Sequence, residues 1–558
     1  MKDVSTTVLI VGGGPTGLTA GILLARLGID HLIVERRPGP QRAPAAHVVN
    51  ARTFEIWRQG GVDMDAIFAA AKDPRDAGTV YWVTRLGGEI LGRLPYERQG
   101  DEVLALTPTP LRNVSQHRLE PILLDSLQRA GTAPRYSHQW ESAEQSGADV
   151  VSRVRGIDGG ETYEVRSRYL LAADGAGSPV RKSIGIQPIG PDRIQSFVMI
   201  HFEANLRPIV GDCPGVLYWV SDPQCAGTFV AHDIDREWVF MHSWDPDHES
   251  IATYDAAHCE NIVRRAIARD DVELTIRTVA PWMMTSQTAE HYRDRRIFLA
   301  GDAAHRFPPT GGLGLNTGVQ DAHNLVWKIA AVEKAWAGTR LLDTYEQERQ
   351  PIAHYNAEQS FRNAMRILEV PQAMGTMEEP ERARQHFARM LVDPLRRAAV
   401  ESAIANQAEH FDMLGLQLGY AYETGALVAD GTERLLPANP VREFLPSSRP
   451  GSRLPHGWVE SEGRRVSTLD LIALDSLTAI VGTAGAAWIE AIRDLRVPIR
   501  VRQIGLDVGD RDGWWISVAQ MEPDGVLLVR PDQHVAFRSR AGVRDAQATL
   551  REAVSSML

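Results

Sequence analysis

At 558 residues the chain is longer than one ordinary hydrophobic core supports, so two or three domains are expected. Its 44% apolar and 23% charged residues are those of a soluble globular protein, and a formal charge of -11 with no offsetting basic tract argues against a nucleic-acid partner. No apolar run approaches the roughly 18 residues of a membrane span, and the charged start, Lys2 and Asp3, lacks a secretory h-region, so a cytoplasmic protein with no membrane partner is expected.

The first element is an apolar run, Val8-Leu9-Ile10-Val11, which breaks into Gly12-Gly13-Gly14-Pro15-Thr16-Gly17 and continues as a helical pattern from Leu18 to Leu27. Strand, tight turn and helix in this order make a dinucleotide fingerprint. Gly12 allows the turn, Gly14 lets the backbone approach a pyrophosphate, and Gly17 lets the helix pack on the strand with its first amides facing negative charge. A second strand, His31-Leu32-Ile33-Val34, ends at Glu35, about 20 residues on, where a carboxylate accepts a ribose hydroxyl proton. The unit favours a dinucleotide with a free 2′-hydroxyl.

Farther along, Val80-Tyr81-Trp82-Val83, the run from Ile194 to Phe202, and Trp238-Val239-Phe240-Met241-His242 have β-type patterns and read as a mostly antiparallel sheet. The strand Gly227-Thr228-Phe229-Val230-Ala231 ends in His232-Asp233. Two adjacent ionisable groups there suit polarisation of a bound hydroxyl, and an exposed turn explains them equally well. Tyr218, Trp219, Met241, His242, Trp282 and Met283 read as core more readily than as ligand contacts.

Arg296-Ile297-Phe298-Leu299-Ala300 reads as a buried strand with Gly301-Asp302 at its carboxyl end, where open α/β sheets place ligands. Pro308-Pro309 and the glycines Gly311, Gly312, Gly314 and Gly318 form a stiff loop that opens a helix near Leu315-Asn316, running through Leu325 and Trp327. A carboxylate at Asp302 suits a polyol, and helix-start amides suit an electron-rich ring or a phosphate. Those are the needs of the ribityl chain and isoalloxazine of a flavin dinucleotide. Cys213, Cys225 and Cys259 form no C-x-x-C pair and the histidines show no metal spacing, so no metal is expected. Pro437 to Pro455 reads as an extended connector. Beyond it lie the apolar runs Leu477 to Val481 and Val526 to Val529 and a helix from Ala486 to Leu495.

Together with Val114-Ser115-Gln116-His117-Arg118-Leu119-Glu120, Asp174-Gly175-Ala176-Gly177-Ser178-Pro179-Val180-Arg181 after the strand Tyr169 to Ala173, and the helical pattern Leu341 to Pro351, the chain resembles the single-component FAD-dependent aromatic hydroxylases, the phenol-hydroxylase-like flavoprotein monooxygenases. The resemblance implies an α/β protein. A Rossmann-type FAD-binding domain over 1–74, 110–180 and 286–400 holds an inserted, mostly antiparallel β substrate-binding domain over 75–109 and 181–285. A connector and a C-terminal thioredoxin-like domain occupy 401–558; without cysteine that domain implies fold without dithiol chemistry, and a packing or homodimerising role is expected. Gln116, Asp174 and Pro309 join the glycines, Glu35 and Asp302 as implied flavin contacts.

The same resemblance implies a reaction in which reduced FAD binds O2 as a C4a-hydroperoxide and passes one oxygen to a small, electron-rich aromatic substrate. With one dinucleotide fingerprint in the chain, the reductant NAD(P)H binds transiently across the flavin. In the segment Ala43 to Glu55, which resembles the family segment passing beside the isoalloxazine, the resemblance to simple-phenol hydroxylases makes His47 a candidate to accept a hydrogen bond from the substrate hydroxyl, a task suited to imidazole; a packing role is the alternative. Arg52 and Glu55, at helical spacing, read as a structural pair. Ala45 stands where relatives often carry arginine, leaving Arg36, Arg37 or Arg42 as substitutes for its flavin or nicotinamide contacts, or as solvated charges. Two further readings remain: oxidation of a polycyclic or antibiotic scaffold, or replacement of a ring substituent, and a flavin-binding redox or interaction protein without monooxygenation.

Overall fold

The strand Val4–Val11 lies between His31–Val34 and Thr162–Ala172, and Thr162–Ala172 pairs on with Ile297–Leu299, all parallel. Val11 is level with Val34 and Ala172, and Ala172 with Leu299. The four strands therefore end at one edge. Parallel strands covered on both faces must be apolar throughout, and Val8, Leu9, Ile10, Ile33, Leu170 and Phe298 are completely buried. The protein is described here by a computed structural model covering residues 4–157 and 159–558; the charged start at Lys2 and Asp3 lies outside the described residues.

Four helices frame that edge: α1 (Pro15–Arg26), α2 (Ala51–Gln59), α3 (Gln116–Arg129) and α4 (Leu313–Glu333). Helix α1 packs against α3 and α4, and α2 against α4. Helix α4 begins before the expected Asn316 because Gly312, at φ +62°, supplies a left-handed N-cap. A hairpin of His138–Ser146 and Asp149–Gly156 extends the sheet antiparallel to Thr162–Ala172.

A second, seven-stranded sheet runs in the order Thr275–Met284, Gln195–Glu203, Glu237–Ser243, Gly227–Asp233, Leu217–Val220, Thr79–Val83, Ile90–Pro95. It is antiparallel except where Leu217–Val220 meets Thr79–Val83. Alternation gives it two faces. Tyr81, Tyr218, Phe229, Ala231 and Phe240 form a core with Ile262, Val263 and Ala266 of the helix Ala256–Ile267. On the other side, Trp82, Leu91 and Val216 pack with Val370, Phe387, Met390 and Val400. The helices Glu369–Met374, Pro380–Val392 and Pro394–Ala405 thus cover the second sheet, not the parallel one with which the sequence reading had grouped residues up to 400. Their apolar faces match the large side chains of Trp82 and Leu91.

The C-terminal part is a four-stranded mixed sheet, Ile499–Gln503, Leu477–Val481, Val526–Val529, Val535–Ser539, with helices Ala486–Arg493 and Ala546–Met557 in one of its cores. The stretch 437–455 is irregular as expected but is packed: Ser448, Arg453 and Leu454 are buried. Among the described residues no helix is long and apolar enough to cross a membrane.

Candidate active site

The loops leaving the shared edge of the parallel sheet carry most of the sequence-derived candidates. Gly12 has φ +111°, and a Cβ there would lie 2.1 Å from the Ala173 carbonyl oxygen. At Gly17 a Cβ would lie 2.0 Å from the Gly12 carbonyl oxygen, so the turn and α1 close on each other only because both side chains are absent. Gly14 differs: nothing lies within 4 Å of its Cβ direction, leaving the start of α1 open. Pro15 occupies the first helical turn, and Thr16 sits against Gly301 and Gly318. Glu35 is buried and accepts from the amides of Gly13 (2.6 Å) and Arg37 (2.8 Å).

Asp302 follows the end of Ile297–Leu299 in a short 3₁₀ turn, Gly301–Ala303. Its side chain reaches solvent yet is closely surrounded by protein, and this partial burial raises its carboxyl. Gly314, at the start of α4, lies beneath it, 4.0 Å from its Oδ1 as measured from the Cβ direction. Pro309 is exposed and Leu315 half-buried. Gln116 opens α3, donating its amide N–H to Ala46 (2.8 Å) and its side chain to Glu120 (2.7 Å). Arg36 and Arg42 are exposed, whereas Arg37 is held by Glu35 (3.1 Å) and Glu120 (3.5 Å).

Three candidates have side chains engaged elsewhere. Asp174 accepts from Ser178 Oγ (2.6 Å) and the Val180 amide (3.1 Å), closing the turn before the short helix Pro179–Ser183. Asn316 accepts from the Asn50 amide (2.9 Å) and Thr53 Oγ1 (2.7 Å) and donates to the carbonyls of Val48 (2.9 Å) and Gly312 (2.6 Å). Its four bonds use the capacity of a primary amide and tie the 48–53 segment to α4. Asp233 was paired with His232 in the sequence reading. The strand is irregular between Ala231 and Asp233, so Asp233 lies opposite Glu237, and both carboxylates meet Arg118, at 3.2 and 3.5 Å.

His232 meets a different partner. Its ring lies 5.4 Å, edge to face, from that of His47, bringing together two histidines 185 positions apart in a junction between the two sheets. His232 Nδ1 is 2.9 Å from Ser115 Oγ, and His47 Nδ1 is 2.9 Å from Asn113 Oδ1. Burial lowers His47 to about 4 and moves His232 well below its ordinary value, so both are neutral near pH 7. Beside them Lys72 donates to the carbonyls of Ala231 (3.0 Å) and Gly215 (3.2 Å), and burial brings its ammonium down to about 7. In the second sheet Val230 lies opposite Val239 and Thr228 opposite Met241, an apolar wall on the face away from Phe229 and Phe240. Asn113, Ser115 and Lys72 carry no sequence signal of their own; only the adjacency of Asn113 and Ser115 to the Gln116 stretch pointed toward them.

Comparison with known proteins shows the family. Residues 5–360 match the FAD binding domain family, and residues 447–558 match the aromatic-ring hydroxylase C-terminal family. The chain is 31% identical to 2,4-dichlorophenol 6-monooxygenase of Delftia acidovorans, over 100% of this chain and 98% of that protein. It is 34% identical to aklavinone 12-hydroxylase RdmE of Streptomyces purpurascens, over 100% of both. Among solved structures, the flavin-dependent monooxygenase PieE in complex with FAD and substrate superposes with a TM-score of 0.92 at 35% identity, covering 100% of this chain and 99% of that one. A glycine turn, an open helix start and a solvent-facing carboxylate at one sheet edge, continuous with a family match across most of the chain, lead to one assignment: this chain belongs to the FAD-dependent aromatic-ring hydroxylases.

Proposed function

We propose that the protein is an FAD-dependent monooxygenase that hydroxylates a phenol-like aromatic compound with NAD(P)H and O2. The carrying observation is the His47–His232 pair, two neutral imidazoles placed where the apolar wall of the second sheet meets the edge of the parallel sheet. The residues fit FAD. The open backbone at Gly14 and the α1 amides suit the pyrophosphate, Glu35 retains lone pairs for a ribose hydroxyl, and Asp302 lacks a hydrogen bond from the described residues and suits the ribityl chain. When bound, the flavin would supply electron transfer from NAD(P)H and the activation of oxygen.

The chain's own residues then orient the ring, exclude water and manage one proton. His47 accepts a hydrogen bond from the substrate hydroxyl and increases electron density at the ortho and para carbons. Val230, Val239 and Met241 keep the site dry. In this reading 1–74, 110–180 and 286–368 hold FAD, 75–109 and 181–285 with the helices of 369–405 cover the substrate, and the cysteine-free, thioredoxin-like C-terminal unit serves packing and homodimerisation.

The similarity to aklavinone 12-hydroxylase favours a second substrate class, a polycyclic scaffold. A panel of simple phenols and fused-ring phenolics decides: each is tested for acceleration of NAD(P)H oxidation, and products are weighed. Gain of one oxygen on a simple phenol is expected; response to fused-ring compounds alone replaces the first class with the second. No acceleration and no product across the panel removes monooxygenation from the reading.

A further inference from the structure

The orientation of His47 can be traced to fixed points in the backbone. Gln99 is buried, and its side-chain nitrogen lies 3.0 Å from the Ala77 carbonyl and 3.0 Å from that of Tyr96. Carbonyls only accept, so the NH2 end of the amide faces them, and Oε1 faces Asn113. Oε1 also only accepts; the group 3.2 Å away is therefore Asn113 Nδ2. That leaves Asn113 Oδ1 against His47 Nδ1 at 2.9 Å, and an amide oxygen requires the proton on the ring nitrogen. Three side chains carry one polarity outward from two main-chain carbonyls.

The backbone holds the same geometry. Val48 pairs with Asn113 and Val49 with Arg112. The Val114 amide donates to the His47 carbonyl (2.7 Å), and the Lys72 amide to that of Asn113 (2.8 Å). Arg112 donates to the Gln99 carbonyl. His47 Nε2 has no partner among the described residues and is not sealed from solvent. His232 contrasts with it: the Ser115 hydroxyl can donate or accept, so nothing fixes which nitrogen of His232 carries the proton.

We propose that Gln99 and Asn113 are positioning residues that lock His47 in the Nδ1–H tautomer, presenting Nε2 as a hydrogen-bond acceptor. The proposal deepens, and rests on, the reading of His47 as the partner of the substrate hydroxyl. Free imidazole side chains favour the Nε2–H form; an unlocked ring would turn a donor toward a group that must itself donate. The charged or titratable groups facing His47 are Lys72 and His232, with His117 and Glu237 behind His232.

The test is a two-bond proton–nitrogen correlation spectrum of the FAD-loaded protein labelled with 15N-histidine, His47 being assigned by its loss in His47→Gln. Wild type is expected in the Nδ1–H form. Asn113→Leu should move His47 to the Nε2–H form and lower aromatic-stimulated NAD(P)H oxidation at least tenfold, with FAD retained. Asn113→Asp keeps an oxygen-only partner, so Nδ1–H persists and His47 titrates at higher pH. Gln99→Leu frees the Asn113 amide to rotate and should give both forms, which preserves the test if Asn113→Leu fails to fold. An Nε2–H ring in wild type, or no change in both leucine variants, overturns the proposal. Full hydroxylation by His47→Leu, whose side chain has no acceptor, with the tautomer pattern as expected, instead overturns the role of His47 in substrate binding.

Discussion

Asp302 illustrates how a single side chain can do little for the free protein and much for the complex. A carboxylate closely surrounded by protein, raised by desolvation and lacking a hydrogen bond from the described residues, is left to solvent in the free protein and gains a partner when a ligand donates to it. Asp302→Ala should weaken FAD binding by roughly 10- to 100-fold, the effect of one charge-assisted hydrogen bond of about 1.5–3 kcal/mol. It should leave the melting temperature of the flavin-free protein unchanged or higher. A drop in both would make Asp302 a structural residue. His47 gives the residue scale its pH dependence. Burial lowers it to about 4 against about 6.5 in an unfolded chain, so between these values the unfolded state binds the extra proton. Stability from this group is complete above about pH 6.5 and declines as pH falls toward 4. The acceptor form also survives to that lower limit. Aromatic-stimulated turnover of the wild type should therefore keep its His47-dependent acid limb near pH 4; a limb near 6.5 would mean that the ring is hydrated like a surface histidine.

At the scale of one element, the turn into α1 separates glycines that the sequence motif treats alike. A Cβ at Gly17 would meet the Gly12 carbonyl oxygen at 2.0 Å, whereas one at Gly14 meets nothing within 4 Å. Gly17→Ala must push α1 off the sheet, an overpacking cost of about 1–3 kcal/mol, read as a lower urea midpoint in the flavin-free protein. Gly14→Ala should leave that midpoint unchanged and lower FAD affinity, because its methyl points only toward the open helix start. Equal effects of the two on folding would contradict the assignment of that open side to the ligand. These elements were legible because their patterns are local: an apolar strand, a glycine turn and a helix occupy Val8 to Leu27, and Asp302 directly follows another apolar strand. The His47 surroundings were not. Asn113 reaches His47 through a two-residue strand pair, Gln99 acts through Asn113, and His232 arrives from the far sheet. Strand register and side-chain polarity made those neighbours, and neither leaves a periodic trace. For the same reason the sequence does not show that Asp233, adjacent to His232, is drawn to Arg118 past an irregularity in its strand, or that the Asn316 amide is occupied by Val48, Asn50, Thr53 and Gly312.

Across the whole molecule, the C-terminal part joins the parallel-sheet part through buried charge. Arg453 donates to Glu55 (2.8 Å), and Arg52 donates to Glu55 (3.1 Å) and to the Asp532 carbonyl (2.8 Å). Nearby, Glu348 accepts from Arg530 (2.7 and 2.8 Å) and Lys328 (2.7 Å). These side chains are at most 1% exposed. Such a layer adds little net stability over an apolar one, but removing one member leaves a buried charge short of partners, at about 3–5 kcal/mol. Arg453→Met is expected to lose that amount, measured by urea unfolding near neutral pH. The pH response identifies the cause. Burial pushes Glu55 up, but Arg453 and then Arg52 outweigh it and hold the carboxyl at about 2, below the roughly 4.3 of an unfolded glutamate. A depressed carboxyl contributes stability above its unfolded value and loses it as pH falls toward the folded one. The gap between wild type and Arg453→Met should therefore be full above about pH 5 and narrow toward about pH 3. A gap that stays constant across this range would show that the arginine contributes by packing its stem rather than by holding Glu55 ionised.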